Sequence, residues 1–201
     1  MKRILTFALA LVMVLSLAAC GSKSDDNNKE DTAVDMTAQE IMDTLKEKLG
    51  DSFDCDTVEE EGRLSGYYGL DMEQVESWAA MSNSDSSLNA STAVIVKVKE
   101  GYTDDAAALL QTGYDQALGY ARMYNMDLQK VLQARLFANG NYVALLILGA
   151  AGDWEASEEE QAKFAADEAT KVDAVWSGIF GSAENAIVIP EDNGENGGLF
   201  D

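Results

Sequence analysis

The chain has 201 residues, with 36 Asp and Glu against 14 Lys and Arg, no histidine and two cysteines. A formal net charge of −22 repels phosphate backbones and anionic headgroups, which excludes nucleic acid as a partner and adhesion of the folded surface to an anionic bilayer. The missing histidine excludes Ser-His-Asp and Cys-His catalysis, His-ligated zinc and the usual general base near neutral pH. No cofactor and no metal is expected.

Lys2 and Arg3 precede an apolar run over residues 4–17, broken only by Thr6 and Ser16, and Leu17-Ala18-Ala19-Cys20 follows. A basic start, an apolar middle and a small-residue exit make a secretory signal. The run is shorter than the ~20 residues a spanning helix needs. Its last four residues resemble a bacterial lipobox. The resemblance implies a palmitate-class lipid on the Cys20 thiol, cleavage after Ala19 and Cys20 as the new N-terminus. Cleavage removes two positive charges and no acid, so the mature surface is more acidic still. Residues 21–35 (GSKSDDNNKEDTAVD) are polar and nearly free of large apolar groups. They read as a disordered tether with a span of roughly 20 Å.

The expected organisation is a signal peptide over 1–19, the lipidated cysteine and tether over 20–35, one α+β domain over 36–189 and a disordered acidic tail over 190–201. Thr37 with Glu40 forms a capping-box pattern. Ile41, Met42, Leu45 and Leu49 follow as one apolar stripe before Gly50, which predicts a helix over 38–49. Residues 51–63 read as an acidic loop and 64–70 as a short extended piece. Asp71 with Gln74 suggests a short helix over 72–76, and 75–81 either extends that helix or forms a strand, the strand being the favoured reading. Residues 82–91 are a Ser/Asn/Asp loop.

Residues 92–99 (TAVIVKVK) are β-branched and alternate, so Val94, Val96 and Val98 are expected on the core face. Thr103 is expected to cap a long helix carrying Leu110, Tyr114, Ala117, Ala121 and Tyr124, which stops at Asn125. Asp127 is placed to cap a short helix to Leu132. Residues 134–138 and 142–148 flank Asn139-Gly140-Asn141 and predict a hairpin. Ser157 with Glu160 opens the last helix, lined by Ala162, Ala165, Ala169, Val172, Trp176, Ile179 and Phe180 and ended by Gly181. Residues 187–189 read as one more short strand.

Few residues invite chemistry. Cys55 has no partner if Cys20 is lipidated, and Asp54 and Asp56 oppose its ionisation, so a half-exposed, inert thiol is expected. The acidic clusters suit solvated faces and helix N-termini. The stretch 192–197 (DNGENG) has the flavour of a calcium loop but places Gly194 where an oxygen ligand belongs. Tyr67 and Tyr68, between Gly66 and Gly69, are the candidate ligand-binding residues, as stacking platforms for a sugar or peptide. Trp78 and Trp154 are weaker candidates of the same kind, and Trp176 belongs to the core stripe.

The Tyr-Gly-Leu-Asp piece at 68–71, the Ile/Val-Lys strand at 94–99, the long helix, the hairpin on Gly-x-Tyr-Val at 140–143 and the closing helix stand in a familiar order. With the lipobox, this order resembles the Gram-positive lipoprotein family catalogued as domain of unknown function 4358, over residues 67–180. The resemblance implies a small α+β domain on the outer face of the cytoplasmic membrane and transfers no functional residue.

The fold class expected is therefore α+β, a small antiparallel sheet of roughly three to five strands with packed helices. The expected function is a membrane-anchored, non-catalytic binding or assembly module for an envelope protein or cell-wall ligand. The alternatives are a small-solute-binding accessory lipoprotein and a carboxylate-dependent envelope hydrolase.

Overall fold

The computed structural model describes residues 34–85 and 88–192. The signal, Cys20, nearly all of the tether, and the calcium-like stretch and tail from residue 193 lie outside the described residues.

An antiparallel sheet in the order β1-β2-β3-β5-β4 forms the middle layer. Its strands are β1 (Thr57–Val58), β2 (Val75–Ser82), β3 (Thr92–Val98), β4 (Arg135–Asn139) and β5 (Tyr142–Ile147). One face carries α1 (Ala38–Leu49) and α5 (Glu158–Phe180). Here Ile41, Leu45, Val172 and Trp176 pack on Ile95, Phe137, Ala144 and Leu146. The other face carries α2 (Glu61–Gly66), α3 (Thr103–Tyr124) and α4 (Leu128–Val131). Here Leu64, Leu110, Tyr114 and Leu118 pack on Val94, Val96, Val143 and Leu145. The protein is a single α+β domain with helices on both faces of the sheet.

Local chemistry explains most boundaries. Both capping boxes form: the Thr37 hydroxyl accepts from Glu40 N and the Glu40 carboxylate accepts from Thr37 N, and Ser157 with Glu160 repeats the arrangement. These bonds hold both carboxyls below their usual pKa. Asn125 ends α3 in the left-handed conformation at φ 50°. The β4–β5 hairpin pairs Asn139 with Tyr142, so its two-residue loop is Gly140-Asn141, with Gly140 at φ 60°. Glycine at the first loop position with positive φ is what a tight hairpin of this kind requires.

The structure corrects several expectations. Residues 61–66 are helical rather than loop or extended. Gly62 and Gly66 weaken the local signal, but fully buried Leu64 anchors the turn to the core. The element expected at 72–76 is a single 3₁₀ turn over Met72–Gln74, and the Asp71 carboxylate accepts from Glu73 N rather than engaging Gln74. Residues 75–82 are a strand, as expected.

The β3 alternation predicts one core face, that of the valines. Both faces are buried, because Ala93 and Ile95 meet α1 while the valines face α3. Thr103 is the first residue of α3 and not its cap, and its hydroxyl donates to Gly140 O. Tyr124 is exposed, and Leu118 takes the core position expected of it. Asp127 does not cap α4 through its side chain.

Residues 187–189 are not a strand. The segment runs along the molecule through side chains instead. Ala186 N donates to Leu136 O, Gln111 bonds both Val188 N and Val188 O, and Arg122 donates to Pro190 O. At the other end, the Tyr142 hydroxyl bonds the carbonyls of Val34 and Met36. No helix among the described residues is long and apolar enough to cross a membrane.

Candidate functional site

Two concavities border the helical layers. The larger, about 540 Å³, lies between α2 and α3 above the ends of β2, β3 and β5. Tyr67 and Tyr68 both line it, with Arg63, Gln116, Tyr120 and Glu59. The turn ending α2 places the tyrosines: Tyr67 N and Tyr68 N both donate to Arg63 O, and Gly69 follows at φ 75°.

The two tyrosines divide the work. Tyr68 is buried, and its ring presses against Gly113 of α3. Burial raises its phenol pKa well above the ordinary value. Tyr67 is half-buried, meets Tyr68 edge-on with 4.9 Å between centroids, and lies under the Arg63 guanidinium at 3.9 Å. The stacking platform expected of the pair is thus Tyr67, while Tyr68 is a wall and core residue. Tyr120, 46% exposed, stands across the cleft on α3. It lies beside the predicted apolar stripe of this helix, so the sequence does not single it out.

Polar groups at the back of the cleft are already engaged. The Asn89 amide donates to Asp54, the Asn83 amide donates to Asp54, and Ser84 donates to Asp56. Ser82 donates to Glu59 at 2.6 Å. At the mouth the balance differs. The Gln116 amide and the Tyr67 and Tyr120 hydroxyls have no hydrogen bond within the described residues. Of the described arginines, Arg122 and Arg135 pair with Asp192 and Asp173, whereas Arg63 has no carboxylate in ion-pair range.

Behind this wall sits a network the sequence did not suggest. Lys130 is buried and lies 3.5 Å from Asp54, 3.4 Å from Asp127 and 3.1 Å from the Ser91 hydroxyl. A buried Ser–Lys contact raises the question of nucleophilic catalysis, which needs a neutral lysine as base. Lys130 is instead ion-paired with two carboxylates, Asp54 and Asp127, a structural arrangement rather than that of a base. Here Asp127 also accepts from Ala90 N, so the network ties the 83–91 loop to α4. Cys55, beside it, is buried rather than half-exposed. Burial first, then the Asp54 charge, pushes its thiol up to about 12.

The second concavity, about 380 Å³, lies beside α5 and is lined by Lys130, Glu168, Gln161, Phe164 and Trp154. Two of its polar side chains are engaged: Glu168 holds Lys171 and Ala150 N, and Gln161 holds the carbonyls of Trp154 and Ala156. Trp154 is 83% exposed at its rim, Trp78 is half-buried beside the α3 core, and Trp176 is fully buried. No group of three or more Cys, Asp or Glu among the described residues is placed to hold a metal ion.

The chain matches no known family model, no curated protein and no solved structure.

Proposed function

We propose that this protein is a lipid-anchored lipoprotein on the outer face of the cytoplasmic membrane whose domain is a non-catalytic binding or assembly module for an envelope component. The observation that carries the reading is the α2–α3 cleft: aromatic faces and unengaged polar groups at its mouth, over a back wall whose Asn83, Asn89, Ser82 and Ser84 side chains are engaged. Its volume falls within the range of about 300–1,000 Å³ usual for small-ligand sites, which also favours the small-solute-binding alternative over a flat docking face. The signal and lipobox at 1–20 support the location. Lacking histidine, the chain has no ready base, and no two carboxylates of the cleft face each other across it, which weighs against the hydrolase reading.

Two measurements test this. Radiolabelled palmitate should enter the wild-type chain in cells and not the Cys20→Ser variant; an unlabelled wild type defeats the anchoring. Soluble fragments of a cell-wall digest should raise the melting temperature of the full chain, and Tyr67→Ala should remove the rise. A rise that survives Tyr67→Ala would move binding elsewhere.

A further inference from the structure

The unengaged groups of the cleft define a chemistry more specific than binding. Among the described residues Arg63 has no carboxylate in ion-pair range, in a chain where acids outnumber bases by 36 to 14. Such a chain offers many carboxylates, so an arginine without one stands out. Its guanidinium is held over the Tyr67 ring and reaches the Tyr68 hydroxyl, a placement that fixes its orientation and engages only part of its five-donor N–H edge. Guanidinium N–H groups match a carboxylate in planar, two-point geometry.

The rest of the mouth is neutral and amphipathic: the Gln116 amide, the Tyr67 and Tyr120 hydroxyls, and the aromatic face of Tyr120. Glu59, which also lines the cleft and accepts from Ser82 through one carboxylate oxygen, has a second oxygen that can accept a ligand hydroxyl. A cation, a hydroxyl acceptor, an amide and aromatic faces together match a hydroxylated ring bearing one carboxylate.

Global charge narrows the class further. With a net charge of −22, the field of the whole surface repels polyanions, and one arginine cannot offset many ligand charges. We propose that the α2–α3 cleft binds a small, singly charged acidic sugar, with Arg63 on the carboxylate, Tyr67 and Tyr120 flanking the ring and Glu59 with Gln116 on its hydroxyls. This rests on the binding-module reading and names its ligand class.

The test uses the full chain in detergent and follows the Gln116 side-chain amide and Arg63 Nε signals by nuclear magnetic resonance. The probes are glucuronate, glucose and acetate. Glucuronate should shift both signals, with glucose and acetate each weaker by about tenfold, the loss expected when one charge-assisted interaction or the ring contact is missing. Arg63→Gln, a change at an exposed position, should bring glucuronate down to the level of glucose and leave glucose unchanged. Equal affinity for glucuronate and glucose overturns the assignment, as does glucuronate binding unaffected by Arg63→Gln, or no shift with glucuronate at about 50 mM, beyond the weakest useful affinities. If wall fragments still stabilise the chain through Tyr67 in any of these cases, the binding module stands and the acidic-sugar assignment alone falls.

Discussion

The Tyr68 ring lies so close to Gly113 that a β-carbon at position 113 would come within 2.4 Å of Tyr68 Cε1. Glycine in mid-helix normally costs about 1 kcal/mol relative to alanine, so α3 gives up helix propensity to admit the ring that forms the cleft wall. Gly113→Ala should therefore destabilise the protein despite its better propensity. Overpacking costs about 1–3 kcal/mol, and the lower end of that range is expected after the propensity gain. Urea denaturation reads the change, and adding Tyr68→Leu should recover part of the loss. A Gly113→Ala protein more stable than wild type would mean that the ring has room to move.

Tyr114 presents the opposite case, a buried group with nothing to hold. Its ring is fully buried and its hydroxyl has no hydrogen-bond partner among the described residues, while burial pushes its pKa up to about 12. An unsatisfied buried hydroxyl costs about 1–3 kcal/mol. Tyr114→Phe should leave stability unchanged or raise it by about 1 kcal/mol, read as a higher urea midpoint at constant slope. A clear loss would reveal a partner for the hydroxyl.

Lys130 should be the most sensitive charged position. Removing it strands Asp54 and Asp127 together beside a buried Ser91. Breaking a fully buried pair costs about 3–5 kcal/mol, and partial exposure of these carboxylates lowers the expectation for Lys130→Met to about 2–3 kcal/mol. Adding Asp54→Asn should recover part of the loss, because the like charges are then reduced to one. Additive losses in the double variant would show that Lys130 acts through packing alone.

Cys55 makes the alkaline prediction. In the folded state its thiol is raised to about 12 from an ordinary 9.0. A folded pKa above the unfolded one means that the unfolded chain loses its proton first. Stability should therefore fall as pH rises above 9 towards 12 through this group, with no contribution below. In a Cys20→Ser chain, where Cys55 is the one thiol, a disulfide reagent at pH 8 should react only after denaturant is added. Rapid reaction in the native protein would contradict the burial.

The elements that were legible in the sequence are those whose signals are local. Thr37 with Glu40, and Ser157 with Glu160, bond within four residues, so the capping chemistry is complete in the chain itself. Asn125 and Gly181 end helices through their own backbone conformations. The β4–β5 hairpin needs only Gly140 between two apolar runs. By contrast, α2 contains two glycines and forms because Leu64 finds a place in a core built by α3 and the sheet.

The candidate site shows the same division. Tyr67 and Tyr68 were visible as an aromatic pair between glycines, but nothing local tells which ring is wall and which is platform. Gly113, 45 positions later, makes that distinction. Arg63 carries no local signal of a role; only the fold shows that no carboxylate among the described residues reaches it. Lys130, Asp54, Asp127 and Ser91 are scattered along the chain and meet only when the 83–91 loop closes over α4.

By itself, the sequence determined the acidic character, the lack of histidine chemistry, the α+β class and the main helix boundaries, because composition and short-range hydrogen bonds depend on neighbours in the chain. Only the tertiary structure decided that β3 is buried on both faces, that Cys55 is sealed, and that Arg63, Tyr67, Gln116 and Tyr120 share one cleft. Those outcomes depend on which distant surfaces exclude water from one another, and burial is a property of the assembled layers rather than of any one segment.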